Sequence, residues 1–279
     1  MKEKAYAKIN LCLDVKRRRE DGYHDLEMVM VPLSLHDEIH VFIAKEDCIT
    51  CDDPRLSLDA SNTVVKALHL MRKTFDIKEC FHIHIQKKIP MEAGLAGGSA
   101  DAAALMRALW KLLSLDTSLE HLSLLAKEIG ADVPFCIYNT PSIVRGIGEK
   151  IEPFDMRGDY HVLLVKPERG VSTKKAFEML DFTKVEHPDC QRVKEACMQN
   201  DWDLLTRFMG NTLEYSALQL VPEIKHIKET LKRLGFFSVL MSGSGSCVFA
   251  LTKQEAFIDE TLESLKKEYD FVIKTKIHL

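Results

Sequence analysis

Apolar and polar residues alternate along the first part of the chain. Between residues 5 and 15 every second side chain is apolar, and Lys8 and Asn10 share the opposite face. A period of two residues is typical of a β-strand with one face on a hydrophobic core. The same alternation returns at residues 39–43 and 81–85, so the pattern predicts several half-buried strands in the first half of the chain.

Apolar residues spaced three and four positions apart predict helices that cover these strands. The first such helix follows a capping pair, Ser61 and Asn62, and its apolar face consists of Val64, Leu68, Met71 and Phe75. A second helix is predicted over residues 119–129, where Gly130 ends it, and a third over residues 99–110.

Residues 153–160 contain proline, glycine and charged side chains without periodicity, and we place a domain boundary after residue 155. Beyond it the pattern restarts, with strands predicted at residues 162–165, 236–241, 247–251 and 271–278 and helices at residues 224–234 and 255–268. Strands and helices alternate in both parts without an internal repeat. The sequence therefore predicts two α+β lobes, residues 1–155 and residues 156–279.

Composition narrows the class of protein. With 279 residues, 46% of them hydrophobic and 29% charged, the chain is expected to be globular. It has neither an apolar run of membrane-spanning length nor a signal-peptide pattern, so we expect a cytoplasmic protein without a membrane partner. A net charge of −4 argues against nucleic acid as a partner. Of the eight cysteines only Cys48 and Cys51 are close in sequence, and no second pair completes a zinc site.

A glycine-rich loop is the strongest candidate for a ligand site. Residues 90–104 read PMEAGLAGGSADAAA, after a predicted strand and before an alanine-rich helix. Small residues let the backbone approach a ligand, and the free N–H groups at a helix start favour an anion such as phosphate. The loop has no lysine and matches neither the Walker A nor the GxGxxG pattern, so backbone amides would have to hold the phosphates. A tight structural turn with a helix cap at Ser99 explains the composition equally well.

Two charged residues are candidates for phosphoryl-transfer chemistry. Such a reaction needs the acceptor hydroxyl positioned, its proton accepted and the charge of the moving group offset. Asp132, on a predicted loop before Pro134, and Lys8 on the first strand supply a carboxylate and a cation. Taken singly, each is more typical of a turn residue and a solvated lysine. Tyr23 and His24 follow a turn signal and suit a nucleobase, although ordinary packing is the alternative.

The chain resembles the superfamily of galactose, homoserine, mevalonate and phosphomevalonate (GHMP) kinases, and in particular its members from the non-mevalonate isoprenoid pathway. Six ordered motifs carry the resemblance: AKINLCLDV (7–15), DGYHDLEMVM (21–30), PMEAGLAGGSADAAA (90–104), GADVPF (130–135), GIGE (146–149) and MSGSGS (241–246). The resemblance implies a two-lobed α+β fold. Its N-terminal lobe would be similar to the second domain of ribosomal protein S5, its C-terminal lobe would be ferredoxin-like, and the active site would lie in the cleft between them.

The resemblance also implies an activity: ATP-dependent phosphorylation of the 2-hydroxyl of a cytidine diphosphate-linked methylerythritol, with Mg²⁺, by a monomer or homodimer. It assigns catalysis to Lys8 and Asp132, and substrate binding to Asn10, Tyr23, His24 and Phe177. It assigns ATP binding to Pro90, Met91, Glu92, Ala93, Gly94, Leu95, Ala96, Gly97, Gly98, Ser99 and Ala100. Ala100 departs from the serine that the family often has there, and the protein ligands of Mg²⁺ are unknown. A kinase for another small alcohol and a catalytically silent binding relative remain as alternatives.

Overall fold

The computed structural model describes the whole chain, residues Met1–Leu279. Its eleven strands are β1 (Lys2–Arg18), β2 (His24–Ala44), β3 (Cys48–Cys51), β4 (Cys80–Gln86), β5 (Ser142–Gly146), β6 (Lys150–Pro153), β7 (His161–Lys166), β8 (Gly210–Asn211), β9 (Ser238–Met241), β10 (Val248–Thr252) and β11 (Phe271–Lys276). Its ten helices are α1 (Thr63–Phe75), α2 (Gly97–Leu112), α3 (Leu119–Ala126), α4 (Val133–Tyr138), α5 (Thr173–Glu178), α6 (Cys190–Gln199), α7 (Trp202–Phe208), α8 (Glu214–Leu220), α9 (Glu223–Arg233) and α10 (Glu255–Lys266).

The chain forms two compact units, each built from separate segments. The first unit comprises residues 1–7, 35–90 and 96–139, and the second comprises residues 8–34, 91–95 and 140–279. The domain boundary expected after residue 155 remains a prediction. Helices and strands are mixed in both units, in agreement with the predicted α+β class.

The first unit is a small sheet with helices. In it β3 pairs with β4 in parallel, and β4 pairs antiparallel with the 38–44 part of β2. Helix α2 packs against α1 and α4, and every one of its residues from 100 to 109 is buried. Five of those ten residues are alanine, whose small side chain lets neighbouring backbones approach closely. This buried helix anchors the end of the glycine-rich loop.

The second unit contains an antiparallel sheet in the order β11-β7-β10-β9. In the same unit the 26–30 part of β2 pairs with β5, β5 pairs with β6, and β1 pairs in parallel with the short strand β8 at residues 12 and 13. The turn between β9 and β10 carries the MSGSGS motif. No helix in the structure is both long enough and apolar enough to cross a membrane.

Strand β1 differs from the half-buried strand that the alternation predicts. Its polar face is buried as well: Lys8, Asn10 and Asp14 are 3%, 0% and 1% exposed. The expectation of a solvated polar face is therefore wrong, because other parts of the second unit cover it. The backbone N–H of Lys8 donates to the carbonyl of Leu95, and Asp14 accepts a hydrogen bond from Thr212.

Helix α2 begins at Gly97, two residues before the predicted start. Its N-cap, Ala96, has a left-handed backbone with φ of 59° and supplies no side-chain cap. Ser99 therefore lies in the first turn and does not cap the helix, which corrects that alternative reading. At α1 the prediction is confirmed, since Asn62 is the N-cap and its Oδ1 accepts from the N–H of Val64 at 2.8 Å.

Candidate active site

Lys8 is buried in β1 and contacts the oxygens of two neutral groups. Its Nζ donates to Oδ1 of Asn10 at 2.9 Å and to the carbonyl oxygen of Gly94 at 3.0 Å. The Nδ2 of Asn10 in turn donates to Sδ of Met28 at 3.4 Å. The structure therefore brings together the predicted catalytic lysine, one predicted substrate residue and the glycine-rich loop.

The MSGSGS motif packs on the same part of the loop. The hydroxyl of Ser242 donates to the carbonyl of Gly94 at 3.0 Å, so this carbonyl accepts from both Ser242 and Lys8. Gly94 has φ of +72°, and a Cβ atom there would overlap the carbonyl oxygen of Ser242. A Cβ atom at Gly243 would lie 3.1 Å from Nζ of Lys8. The motif is thus a turn between two strands and also packs against the glycine-rich loop.

Asn211 holds this support in place and has no signal in the sequence. Its Nδ2 donates to the carbonyls of Met241 and Gly243, both at 2.8 Å, and its Oδ1 accepts from the N–H of Leu213. The side chain is buried and uses both amide hydrogens on one turn. Because β8 has only two residues, no periodic pattern marks Asn211 in advance.

The start of α2 offers backbone amides to a ligand. Its first intrahelical bond runs from the N–H of Ala100 to the carbonyl of Ala96 at 2.8 Å, which leaves the amides of Gly97, Gly98 and Ser99 outside the helical ladder. Such a terminus attracts anions. Ala100 is 1% exposed, so the hydroxyl that the family often carries there would lie within the helix packing.

Asp132 occupies the N-cap position of α4, with φ of −85° and ψ of −13°, and is half-buried. Its carboxylate makes no capping hydrogen bond to the helix, although caps are the commonest use of aspartate at such a position. Pro134 follows within the first turn and fixes the direction of the chain. Asp132 belongs to the first unit and Lys8 to the second, and their predicted contact remains a prediction.

An aromatic cluster contains two of the predicted substrate residues. The ring of His24 stacks on Phe177 with centroids 4.8 Å apart and on Phe182 at 6.2 Å. Burial, with a smaller effect of Arg18, lowers the pKa of His24, so the ring is neutral at pH 7 and presents one donor and one acceptor. Tyr23 is 60% exposed beside it. Phe182 also belongs to this cluster, although no motif in the sequence marks it.

The protein offers no ready-made cage for a metal ion. No group of three or more histidine, cysteine, aspartate or glutamate side chains is arranged to hold one. Cys48 and Cys51 are free thiols, and His82 and His84 both contact the hydroxyl of Thr50. Mg²⁺ usually keeps water and phosphate ligands in nucleotide sites.

Two family models match this chain: "GHMP kinases N terminal domain" over residues 62–140 and "GHMP kinases C terminal" over residues 193–270. The chain belongs to the GHMP kinases and is a small-molecule kinase. A 4-diphosphocytidyl-2-C-methyl-D-erythritol kinase from a Geobacillus strain is 41% identical over 276 residues, covering 98% of this chain and 96% of that protein. The kinase of the same name from Clostridium tetani is 39% identical over 278 residues, covering 99% of both.

Solved structures agree with this assignment. The crystal structure of 4-(cytidine 5'-diphospho)-2C-methyl-D-erythritol kinase has a TM-score of 0.86 at 29% identity, and the match covers both chains completely. Homoserine kinase from Cytophaga hutchinsonii has a TM-score of 0.75 at 21% identity, covering 100% of this chain and 95% of that one, and shares the fold. The predicted superfamily and fold class are confirmed.

Proposed function

We propose that this kinase transfers the γ-phosphate of ATP to the 2-hydroxyl of 4-diphosphocytidyl-2-C-methyl-D-erythritol. The observation that carries the proposal is 41% identity, across 98% of the chain, to a relative that bears the name of this kinase. Two structural features support it: a helix start with free amides for phosphate, and a partly buried aromatic cluster suited to a nucleobase. We further propose that the enzyme works in the cytoplasm, as a monomer or homodimer.

In this proposal the loop from Pro90 to Ala100 binds the triphosphate through backbone amides, mainly those at the start of α2. The protein adds no loop lysine, and Mg²⁺ brought with ATP supplies charge neutralisation at the phosphates. The protein's part is to fix the amides in place. The hydrogen bond of Ser242 to the carbonyl of Gly94 supports this role because it restrains the loop.

Lys8 and Asp132 are proposed to act on the acceptor hydroxyl. Asp132 would accept its proton, while Lys8 would orient the hydroxyl and offset the charge of the moving phosphoryl group. The burial of Lys8 supports this role, since a charge acts more strongly away from bulk water. Asn10, held beside Lys8, is proposed to contact the methylerythritol.

The cytosine is proposed to bind at the aromatic cluster. Tyr23 and Phe177 would stack on its faces, and the neutral ring of His24 would form hydrogen bonds with its polar edge. The close approach of His24 to Phe177 supports a shared subsite for these residues. A cytidine handle of this kind favours the proposed acceptor over a bare alcohol.

The test is ADP release with a panel of alcohols, each offered with and without the cytidine diphosphate group. We expect turnover only on the cytidine diphosphate-linked methylerythritol. Turnover on an untagged alcohol alone would favour a kinase for another substrate, and no turnover on the whole panel would favour a silent binding relative.

A further inference from the structure

The structure places a lysine beside the glycine-rich loop, although the loop motif itself has none. Lys87 follows β4, and its Nζ donates to Oδ2 of Asp37 at 2.5 Å and to Oδ2 of Asp101 at 2.8 Å. The side chain of Lys87 is 7% exposed, that of Asp37 is 0% exposed and that of Asp101 is 3% exposed. We call these three residues the buried charge triad. None of them belongs to the predicted catalytic, ATP-binding or substrate-binding set.

The triad connects the segment before the loop to the helix after it. Oδ1 of Asp37 accepts from the backbone N–H of Lys88 at 2.5 Å and from that of Ile89 at 2.8 Å, directly ahead of the loop. Asp101 lies in the second turn of α2. Because Lys87 binds both carboxylates, it connects the segment that precedes the loop to the helix that follows it. All of these residues lie in the first unit.

The first residue of α2 packs directly on the triad. A Cβ atom at Gly97 would lie 3.1 Å from Cγ2 of Ile89 and 3.4 Å from Nζ of Lys87. Glycine therefore allows the helix start to approach the ammonium group. Lys87 therefore lies against the helix turn that carries the free amides.

The buried charge triad has two carboxylates and one lysine, and one carboxylate oxygen has no hydrogen-bond partner. Oδ1 of Asp101 is buried and has no hydrogen-bond partner. Burial raises the pKa of Asp101 to about 8, against the opposing attraction of Lys87. Burial by itself would lower the pKa of Lys87, but Asp101 and Asp37 outweigh it and the pKa is raised. At neutral pH the raised pKa of Asp101 therefore favours its protonated form.

We propose that Lys87, bridged between Asp37 and Asp101, is a positioning residue that fixes the glycine-rich loop in the shape that binds ATP. The inference rests on the proposed function in one respect, namely that this loop holds the phosphates. It does not depend on which alcohol is phosphorylated.

The test compares Lys87→Met with Lys88→Met, a neighbouring lysine whose side chain is 48% exposed. Methionine keeps the length of the side chain and removes the charge. Calorimetry with a nonhydrolysable ATP analogue and Mg²⁺ should show a Kd raised roughly tenfold or more by Lys87→Met and unchanged by Lys88→Met. The KM for the acceptor should stay within about twofold, because the change is confined to the loop.

An unchanged Kd in a folded Lys87→Met protein would overturn the inference. Equal losses for ATP and acceptor would overturn it too, since they indicate a general loss of structure. Because calorimetry needs no acceptor, a wrong acceptor leaves this test intact. Failure of the wild-type protein to bind the ATP analogue at all would overturn the proposed function, and this inference with it.

A second test serves if Lys87→Met does not fold. It uses pH and the variant Asp101→Asn, which keeps the shape of the side chain. As the pH rises from about 7 to about 9, Asp101 ionises and adds a buried negative charge beside the loop, so ATP affinity of the wild type should fall. Asp101→Asn should show no such fall, and parallel curves for the two proteins would contradict the inference.

The pH test also depends on the other ionisable groups on the elements packed around Asp101. Lys87 and Asp37 face it directly; Cys51 of β3 also lies within its electrostatic influence, and burial raises the pKa of Cys51. On α1 the charged side chains are exposed, namely Lys66, His69 and Lys73, apart from Arg72, which pairs with Asp47. Helix α4 contributes only Cys136 and Tyr138.

Discussion

For Lys8, the sequence predicted the face of the strand on which it lies but not its burial. The alternation along β1 correctly placed it on the face opposite the apolar residues, together with Asn10. That pattern could not show that the polar face is buried, because the covering group, the carbonyl of Gly94, lies 86 positions away. A lysine that is only 3% exposed is costly to keep in a folded protein, which favours a role in chemistry.

We expect Lys8→Met to lower kcat by about 10²–10⁴-fold while the Kd for an ATP analogue changes little. The reason is that the ammonium group acts on the acceptor hydroxyl and the moving phosphoryl group, whereas amides bind the triphosphate. Steady-state kinetics with calorimetry checks both quantities. Lys4→Met, an exposed lysine on the same strand, is the matched control; equal kcat in the two variants would rule out a catalytic role for Lys8.

Other site residues differ in how well the sequence predicted them. His24 and Phe177 were expected in one subsite, and their rings do stack, although they are 153 positions apart. Phe182 and Asn211 were missed. Neither lies in a motif, and each acquires its partners only through tertiary contacts that spacing along the chain cannot show.

Among the secondary-structure elements, predictions succeeded where a side chain marks the boundary. Asn62 caps α1 through its own side chain, and the sequence located that start. At α2 the cap is the backbone of Ala96 in a left-handed conformation, with two glycines following, and glycine-rich sequence looks like loop. The start was therefore placed two residues late. Burial of residues 100–109, and not the local propensity of the glycine-rich start, stabilises this helix.

The contact between the glycine-rich loop and the MSGSGS turn can be tested with two glycines. Gly94 and Gly22 both have positive φ, +72° and +86°, but only Gly94 has no room for a Cβ atom. We expect Gly22→Ala to lower the free energy of unfolding by about 1–2 kcal/mol, from backbone strain alone. Gly94→Ala should lower it by about 1–3 kcal/mol more, because Ser242 must move.

Urea denaturation of both variants measures the difference. An equal loss of stability in Gly94→Ala and Gly22→Ala would mean that Gly94 does not pack against the carbonyl oxygen of Ser242. Gly22 suits the comparison because no atom lies within 4 Å of its missing Cβ.

For the whole molecule, the important fact is that neither unit is a continuous stretch of sequence. Local breaks in periodicity suggested one boundary after residue 155, whereas each compact unit collects three segments from distant parts of the chain. Membership of a unit is decided by long-range contacts, which a sequence pattern does not contain. Strand β1 runs without interruption from residues of the first unit into residues of the second. We therefore expect the two units to unfold together.

The eight cysteines, all free thiols, provide a test of this cooperativity. Cys48 is exposed and should react first with a thiol reagent, followed by Cys51 and Cys80. The other five are buried: Cys12, Cys136, Cys190, Cys197 and Cys247. Burial raises the pKa of Cys197 and of Cys247 to about 12, so these remain unreactive thiols until the chain opens.

If the units open together, Cys136 of the first unit and Cys247 of the second should be labelled at the same rate, as measured by mass spectrometry of digested protein. A nonhydrolysable ATP analogue at about 100 times its Kd should slow both reactions about 100-fold, because it binds only the folded state. Faster labelling of one cysteine, or protection of only one, would show instead that the units open separately. In that case the continuous β1 strand would have to break near residue 7, where the first unit gives way to the second.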